Sequence, residues 1–125
     1  MQRADLPELS SEYAVSEETV RAFRDNGHAC LKGVASREEV AAYREVIHAA
    51  ADAHGQQDAK PLGQRDTYGK AFLKHMNLWA KDDGVRAFAT SRRFGKIAAD
   101  LLGVDGVRVY HDQALFKEPG GGITP

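Results

Sequence analysis

The sequence predicts an α+β fold in which helices dominate and strands are few. Four segments carry apolar residues at helical spacing, and each begins close to a residue that can cap a helix. Only short runs, at 28–34 and 107–116, have the character of strands. The two kinds of segment do not alternate as they do in a parallel βαβ sheet, so we expect helices packed against a small sheet.

Composition places the chain among ordinary soluble globular proteins. Its 125 residues suffice for one domain or part of one, with 42% hydrophobic and 28% charged residues. A formal net charge of -1 argues against nucleic acid as a partner, because phosphate binding needs a positive excess. No apolar stretch reaches the roughly 20 residues that cross a bilayer, so we expect no membrane partner. The first residues lack signal-peptide features, and the location expected is cytoplasmic.

The single cysteine, Cys30, agrees with a reducing compartment, since it cannot form an internal disulfide. It lies in an apolar run, and we predict a buried, inert thiol rather than a nucleophile.

The first helix is predicted to start at Ser16, whose hydroxyl can accept from the Thr19 amide. Gly27, which follows Asn26, can adopt the left-handed backbone conformation that ends such a helix. A short apolar strand is predicted from His28 to Val34.

The second helix begins with a capping box, in which Ser36 and Glu39 bond each other's backbone amides. We expect it to end by Gly55. The composition from Gly55 to Gly69 then shifts to Gln, Asp, Gly and Pro, which predicts a long surface loop.

The second half of the chain contains two short helices and a final strand. The run from Ala71 to Trp79 is compatible either with a strand or with an irregular segment that lines the interior. Helices are predicted from about Asp82 to Thr90, and from a Ser91 cap to Gly103. The last strand is predicted at 107–116, and the triple glycine at 120–122 is expected to form a loop between strands.

No metal motif emerges from the five histidines. His48 and His54 are six residues apart and lie on different faces of a helix. His111 and Asp112 are adjacent in a predicted strand, so their side chains point to opposite faces and cannot readily coordinate one metal ion.

Three ordered segments together resemble the phytanoyl-CoA dioxygenase family, and the resemblance covers residues 15–125. They read AFRDNGHACLKGVASREEVAAYREVI, NLWAKDDGVRAFATSRRFGKIAADLLG and VRVYHDQALFKEPGGGITP. These segments are similar to the family's opening helices, its middle pair of helices, and the strand and loop that precede its iron site.

The resemblance implies a hydroxylase that uses Fe(II) and 2-oxoglutarate on a small molecule. It also implies a double-stranded β-helix (a jelly-roll or cupin-like fold) with helices packed outside. Such an iron site takes two His and one carboxylate. In the family these belong to a His-x-Asp motif after the final loop and to a later segment. We therefore expect this chain to be a fragment, the N-terminal portion of a larger oxygenase domain. We expect it to contain no catalytic or metal-binding residue and to bind neither Fe(II) nor 2-oxoglutarate by itself.

Two residues are implied as co-substrate contacts. Relatives place a side chain over 2-oxoglutarate four residues before a strand-end lysine, here Lys117, and that position is Gln113. Relatives also carry an upstream lysine that reaches the co-substrate, and Lys74 fits that place best. For both, a solvated surface side chain is the alternative. An apolar cluster of Phe72, His75, Met76 and Trp79 is compatible with a substrate pocket or with plain core.

Two other functions stay open. A halogenase of the same family replaces the carboxylate ligand by a small residue, and the position that decides this is not in the sequence. A non-catalytic fragment or binding module is the alternative of another class. The truncated sheet is also expected to leave the 107–116 strand with an unpaired edge, which predicts self-association.

Overall fold

The computed structural model describes residues 5–54 and 60–125. These hold five α-helices and one two-stranded antiparallel sheet, in the chain order α1 (Glu17–Asn26), α2 (Arg37–His54), α3 (Thr67–Ala71), β1 (Leu73–Met76), α4 (Asp83–Ala89), α5 (Arg92–Leu102) and β2 (Gln113–Phe116). Single 3₁₀ turns lie at Leu62–Gln64 and Leu78–Ala80. The α+β prediction is confirmed at this level, whereas the larger double-stranded β-helix stays an expectation.

The predicted caps of α1 are present. Ser16 Oγ accepts from the Thr19 amide at 3.1 Å. Gly27 adopts a left-handed φ of 77° and donates its amide to Phe23 O. Local sequence therefore determines both ends of this helix.

The capping box of α2 forms as predicted, and its Glu39 also takes part in a partly buried ion pair. Glu39 accepts from the Ser36 amide at 2.8 Å, and the Glu39 amide donates to Ser36 Oγ at 3.1 Å. The same carboxylate accepts two bonds from the guanidinium of Arg93 in α5, at 2.8 and 2.9 Å. Arg93 also donates to Ser11 and to Val34 O, so one buried side chain joins the N-terminal segment, α2 and α5.

The Arg93 contact lowers the pKa of the Glu39 carboxyl below its ordinary range, and the backbone bond from Ser36 acts in the same direction. The carboxylate in turn raises the pKa of Arg93. Both side chains are therefore charged in the folded protein.

The two short helices of the second half are confirmed with one change at a cap. Asp82 caps α4 by accepting from the Val85 amide at 2.9 Å. Ser91 occupies the N-cap position of α5, but its side chain makes no capping bond and its Oγ is buried without a partner. Gly103 ends α5 in a left-handed conformation, as predicted.

The core lies between α2, α4 and the inner face of the sheet. Ala50, Ala51, Leu78 and Val85 form the buried cluster, and Ala114 and Phe116 of β2 pack against it. Leu78 is 1% exposed and lies in the turn that connects β1 to α4.

The predicted strand from His28 to Val34 is wrong. The segment is irregular, with bends at residues 32–34 and no ladder partner, and most of its side chains are exposed. The predicted burial of Cys30 fails with it, because the thiol is exposed. An apolar run without a neighbouring strand gains no ladder hydrogen bonds, and so it does not become a strand.

The last predicted strand, 107–116, is shorter in the structure. Only Gln113–Phe116 pairs, because β1 offers four partner residues. The predicted surface loop from Gly55 to Gly69 is also shorter than expected. Residues 55–59 lie outside the described residues, but a 3₁₀ turn forms at Leu62–Gln64 and α3 begins at Thr67, capped by Asp66.

Among the described residues, no helix is long and apolar enough to cross a membrane.

Candidate functional site

The exposed face of the β1–β2 sheet brings the two predicted co-substrate residues together. Lys74 lies opposite Leu115, and Met76 lies opposite Gln113. Because side chains alternate along a strand and directly paired residues share a face, all four project from the same side. All four are exposed, which identifies this side as the one turned away from the helices. We call it the outer face.

The ammonium group of Lys74 has an aromatic neighbour but no acidic one. Its Nζ lies 5.2 Å from the ring centroid of Tyr68 in α3. Within the described residues, no carboxylate forms an ion pair with it. An exposed cation–π contact contributes only about 0.5–1 kcal/mol and leaves the N–H donors of the lysine available to a ligand.

Lys117 adds a second cation next to the outer face. It follows two residues after Leu115, and its Nζ lies 4.9 Å from the ring of Phe72. Its ammonium donates to Gly122 O at 2.9 Å and to Thr124 Oγ1 at 3.1 Å, which are both neutral acceptors. The outer face is therefore electropositive, since its strand residues 74, 76, 113 and 115 include no acid.

The glycine segment is bound to α3 rather than extended into solvent. The Gly122 amide donates to Lys70 O at 2.7 Å, and Arg65 forms an ion pair with Glu118. A Cβ atom added to Gly121 would lie 2.6 Å from Lys70 O, so only glycine fits there without a shift of the backbone. Gly120 has a φ of 74°, which also favours glycine. The predicted loop is confirmed as a loop, with defined anchors.

The inner face of the sheet belongs to the core. His75 is buried, and its ring lies 5.7 Å from that of Phe116, which also contacts His48 at 5.2 Å. Trp79 packs against the core cluster, whereas Met76 lies on the outer face. The four residues considered as a pocket cluster are thus divided between two sides of the sheet.

The described residues do not fit an iron site. They include no group of three His, Cys, Asp or Glu side chains that could hold a metal ion. The His111 ring meets the Tyr110 ring edge-on, with centroids 4.9 Å apart, and the carbonyl of Asp112 accepts from the Asn77 amide at 3.0 Å. No chemical step can therefore be assigned to iron on these residues. A dicarboxylate fits better, because a lysine and an amide share one exposed, electropositive face.

The sequence had indicated Lys117 only as the reference position from which Gln113 was located. The contact of Tyr68 with Lys74 was not predicted. The alternation that places Gln113 and Leu115 outward also indicates an outward Lys117, so that signal was present. Tyr68 lies in the first turn of α3, which falls within the 55–69 segment predicted as a loop, and its contact with Lys74 depends on how that helix packs.

The sequence profile of the phytanoyl-CoA dioxygenase (PhyH) family matches residues 23–125. Since the match spans most of the chain, the protein belongs to this family, which is generally dependent on Fe(II) and 2-oxoglutarate. No curated protein and no solved structure gave a significant match.

Proposed function

We propose that this chain supplies the co-substrate-binding face of an Fe(II)- and 2-oxoglutarate-dependent hydroxylase that acts on a small molecule. The observation that supports the proposal most directly is the β1–β2 register, which puts Lys74 and Gln113 on one exposed face. Family membership supplies the reaction class, in which bound iron and 2-oxoglutarate provide the oxidising power. The iron ligands of the parent enzyme would lie outside the described residues, in a domain of which this chain is the N-terminal portion.

Each polar side chain has a definite part in this proposal. Lys74 donates hydrogen bonds to one carboxylate of the dianionic co-substrate, and Tyr68 limits the positions that its ammonium samples. Gln113 donates its amide N–H to the other carboxylate, the one that binds iron in the family. Lys117 contributes long-range attraction, while its own donors hold the Gly122 carbonyl in place.

A cytoplasmic location belongs to the same proposal. It rests on the single cysteine, Cys30, whose exposed thiol has no disulfide partner within the chain.

The first experiment is an NMR titration with 2-oxoglutarate at millimolar concentration, since contact without iron is expected to be weak. Amide shifts should concentrate at Lys74 and Gln113, and the Gln113 side-chain NH₂ should shift with them. The dimethyl ester of 2-oxoglutarate, which carries no carboxylate, should produce no comparable shifts.

Lys74→Met removes the charge and keeps the length of the side chain. Loss of a charge-assisted hydrogen bond costs about 1.5–3 kcal/mol, so binding should weaken about tenfold or more. Lys81→Met is the matched control, because Lys81 lies in the turn after Leu78–Ala80 and not on either strand. Equal effects of the two substitutions, or shifts located away from the outer face, would remove the co-substrate assignment.

A further inference from the structure

A partly buried ion pair joins the segment before α3 to the loop after β2. Arg65 forms this pair with Glu118, and the Arg65 side chain is 9% exposed. Its Nε also donates to Lys60 O at 3.1 Å, so the guanidinium has acceptors in two segments. Arg65 directly precedes Asp66, whose carboxylate caps α3 by accepting from the Gly69 amide. The ion pair therefore acts at the first turn of this helix.

The other end of α3 is bound to the same loop. The Gly122 amide donates to Lys70 O at 2.7 Å. A Cβ atom added to Gly121 would lie 2.6 Å from that oxygen, so the two backbones are in direct contact. A helix of five residues is not stable by itself, and its position depends on contacts such as these. We call the Arg65–Glu118 ion pair and the Gly122–Lys70 hydrogen bond together the clasp.

The helix held by the clasp carries the aromatic ring that contacts Lys74. The centroid of the Tyr68 ring lies 5.2 Å from Lys74 Nζ and 5.6 Å from the centroid of the Phe72 ring. Tyr68 follows Arg65 by three residues, across the start of α3. A displacement of this helix would therefore move the ring away from the ammonium group.

We propose that Arg65 is a positioning residue for the candidate co-substrate site, because its ion pair with Glu118 holds α3 where the Tyr68 ring covers the Lys74 ammonium. A lysine restricted in this way loses less conformational entropy when it binds a carboxylate. The inference rests on the proposed function for the identity of the ligand. The clasp itself joins residues within the chain, so it does not depend on what else covers the outer face.

The first measurement needs no ligand. Protons above the face of an aromatic ring give NMR signals shifted upfield, so the Lys74 CH₂ group next to Nζ should show such a shift in the wild type. Arg65→Gln and Glu118→Gln should each remove much of it. Arg21→Gln is the matched control and should leave the shift unchanged, because Arg21 pairs with Glu17 on the exposed surface of α1.

Circular dichroism should show that each variant is folded. Where a clasp variant is unfolded, Arg65→Lys replaces it, since it keeps the charge but has no second donor group for Lys60 O. This milder variant should lose a smaller part of the same shift. A Lys74 signal that stays in its wild-type position in the folded clasp variants would overturn the proposal.

Titration with 2-oxoglutarate separates positioning from charge. Arg65→Gln removes a cation and Glu118→Gln removes an anion, so net charge alone would change the affinity in opposite directions. Positioning predicts that both weaken binding about two- to tenfold, the range for ordering one long side chain. Both effects should disappear in a Tyr68→Leu background, because the ring is already absent. Effects of opposite sign, or effects that persist in that background, would contradict the role of Arg65.

The two proposals fail in different ways. A wild-type chain that shows no contact with 2-oxoglutarate would remove the co-substrate assignment, while the ligand-free Lys74 signal would still decide whether the clasp positions Tyr68. Normal binding of 2-oxoglutarate by both clasp variants would remove the positioning role of Arg65 and leave the co-substrate assignment intact.

Discussion

Leu78→Ala is the substitution whose effect on stability can be worked out most fully from the structure. Leu78 is 1% exposed and belongs to the cluster formed with Ala50, Ala51 and Val85. Removing three buried carbons loses their transfer free energy and leaves a cavity, at a typical cost of 2–5 kcal/mol, so we expect a loss of roughly this size. Domains of this size have a free energy of unfolding of about 5–15 kcal/mol in total, so the loss would be a large fraction of it.

The assay is urea unfolding followed by circular dichroism and by the fluorescence of Trp79, the one tryptophan in the chain. The midpoint should fall while the slope stays constant, because the surface exposed on unfolding hardly changes. Leu102→Ala is the matched control: the chemistry is identical, but Leu102 is 58% exposed at the end of α5. We expect a change of about 0.5 kcal/mol or less for the control. Similar losses in the two variants would refute the position assigned to Leu78 between the sheet and the helices.

Two further predictions concern the ion pair and the glycine segment. Because Arg93 lowers the pKa of Glu39, the carboxylate stabilises the fold at neutral pH, and this contribution is lost as the pH falls through the folded pKa. The stability difference between wild type and Glu39→Gln should therefore be largest near pH 7 and shrink toward about pH 3, and a difference independent of pH would contradict it. Gly121→Ala should speed hydrogen exchange of the Gly122 amide, since the new Cβ would meet Lys70 O, whereas Gly63→Ala, with open space around it, should not.

Helix ends were predictable from the sequence because their determinants are local. The Ser16 hydroxyl, the Ser36–Glu39 capping box and the Asp82 carboxylate each bond an amide three residues away, and all three form. The left-handed glycine at position 27 likewise needs only its own helix. Ser91 is the exception, and the failure is in its side chain alone, because the helix still begins after it.

Strands were predicted less well, because a strand requires a partner that the sequence does not name. The 28–34 run has strand composition and no ladder, and the 107–116 run pairs only where β1 reaches it. The Arg93 contacts were missed for a related reason: their partners lie 54–82 residues away, and no local pattern marks a buried arginine.

The register of the small sheet connects the core to the candidate site. Side chains alternate with a period of two, so a shift of one residue would send Lys74 inward and His75 outward. Two features oppose such a shift: Phe116 packs against the core cluster, and the Asn77 amide bonds Asp112 O at the end of the ladder, where Asn77 adopts a left-handed φ of 56°. Gln113 directly follows Asp112, so this hydrogen bond also fixes the position of Gln113. The position of the candidate co-substrate residues is therefore a consequence of core packing, and substitutions in the core should disturb the outer face even though they do not touch it.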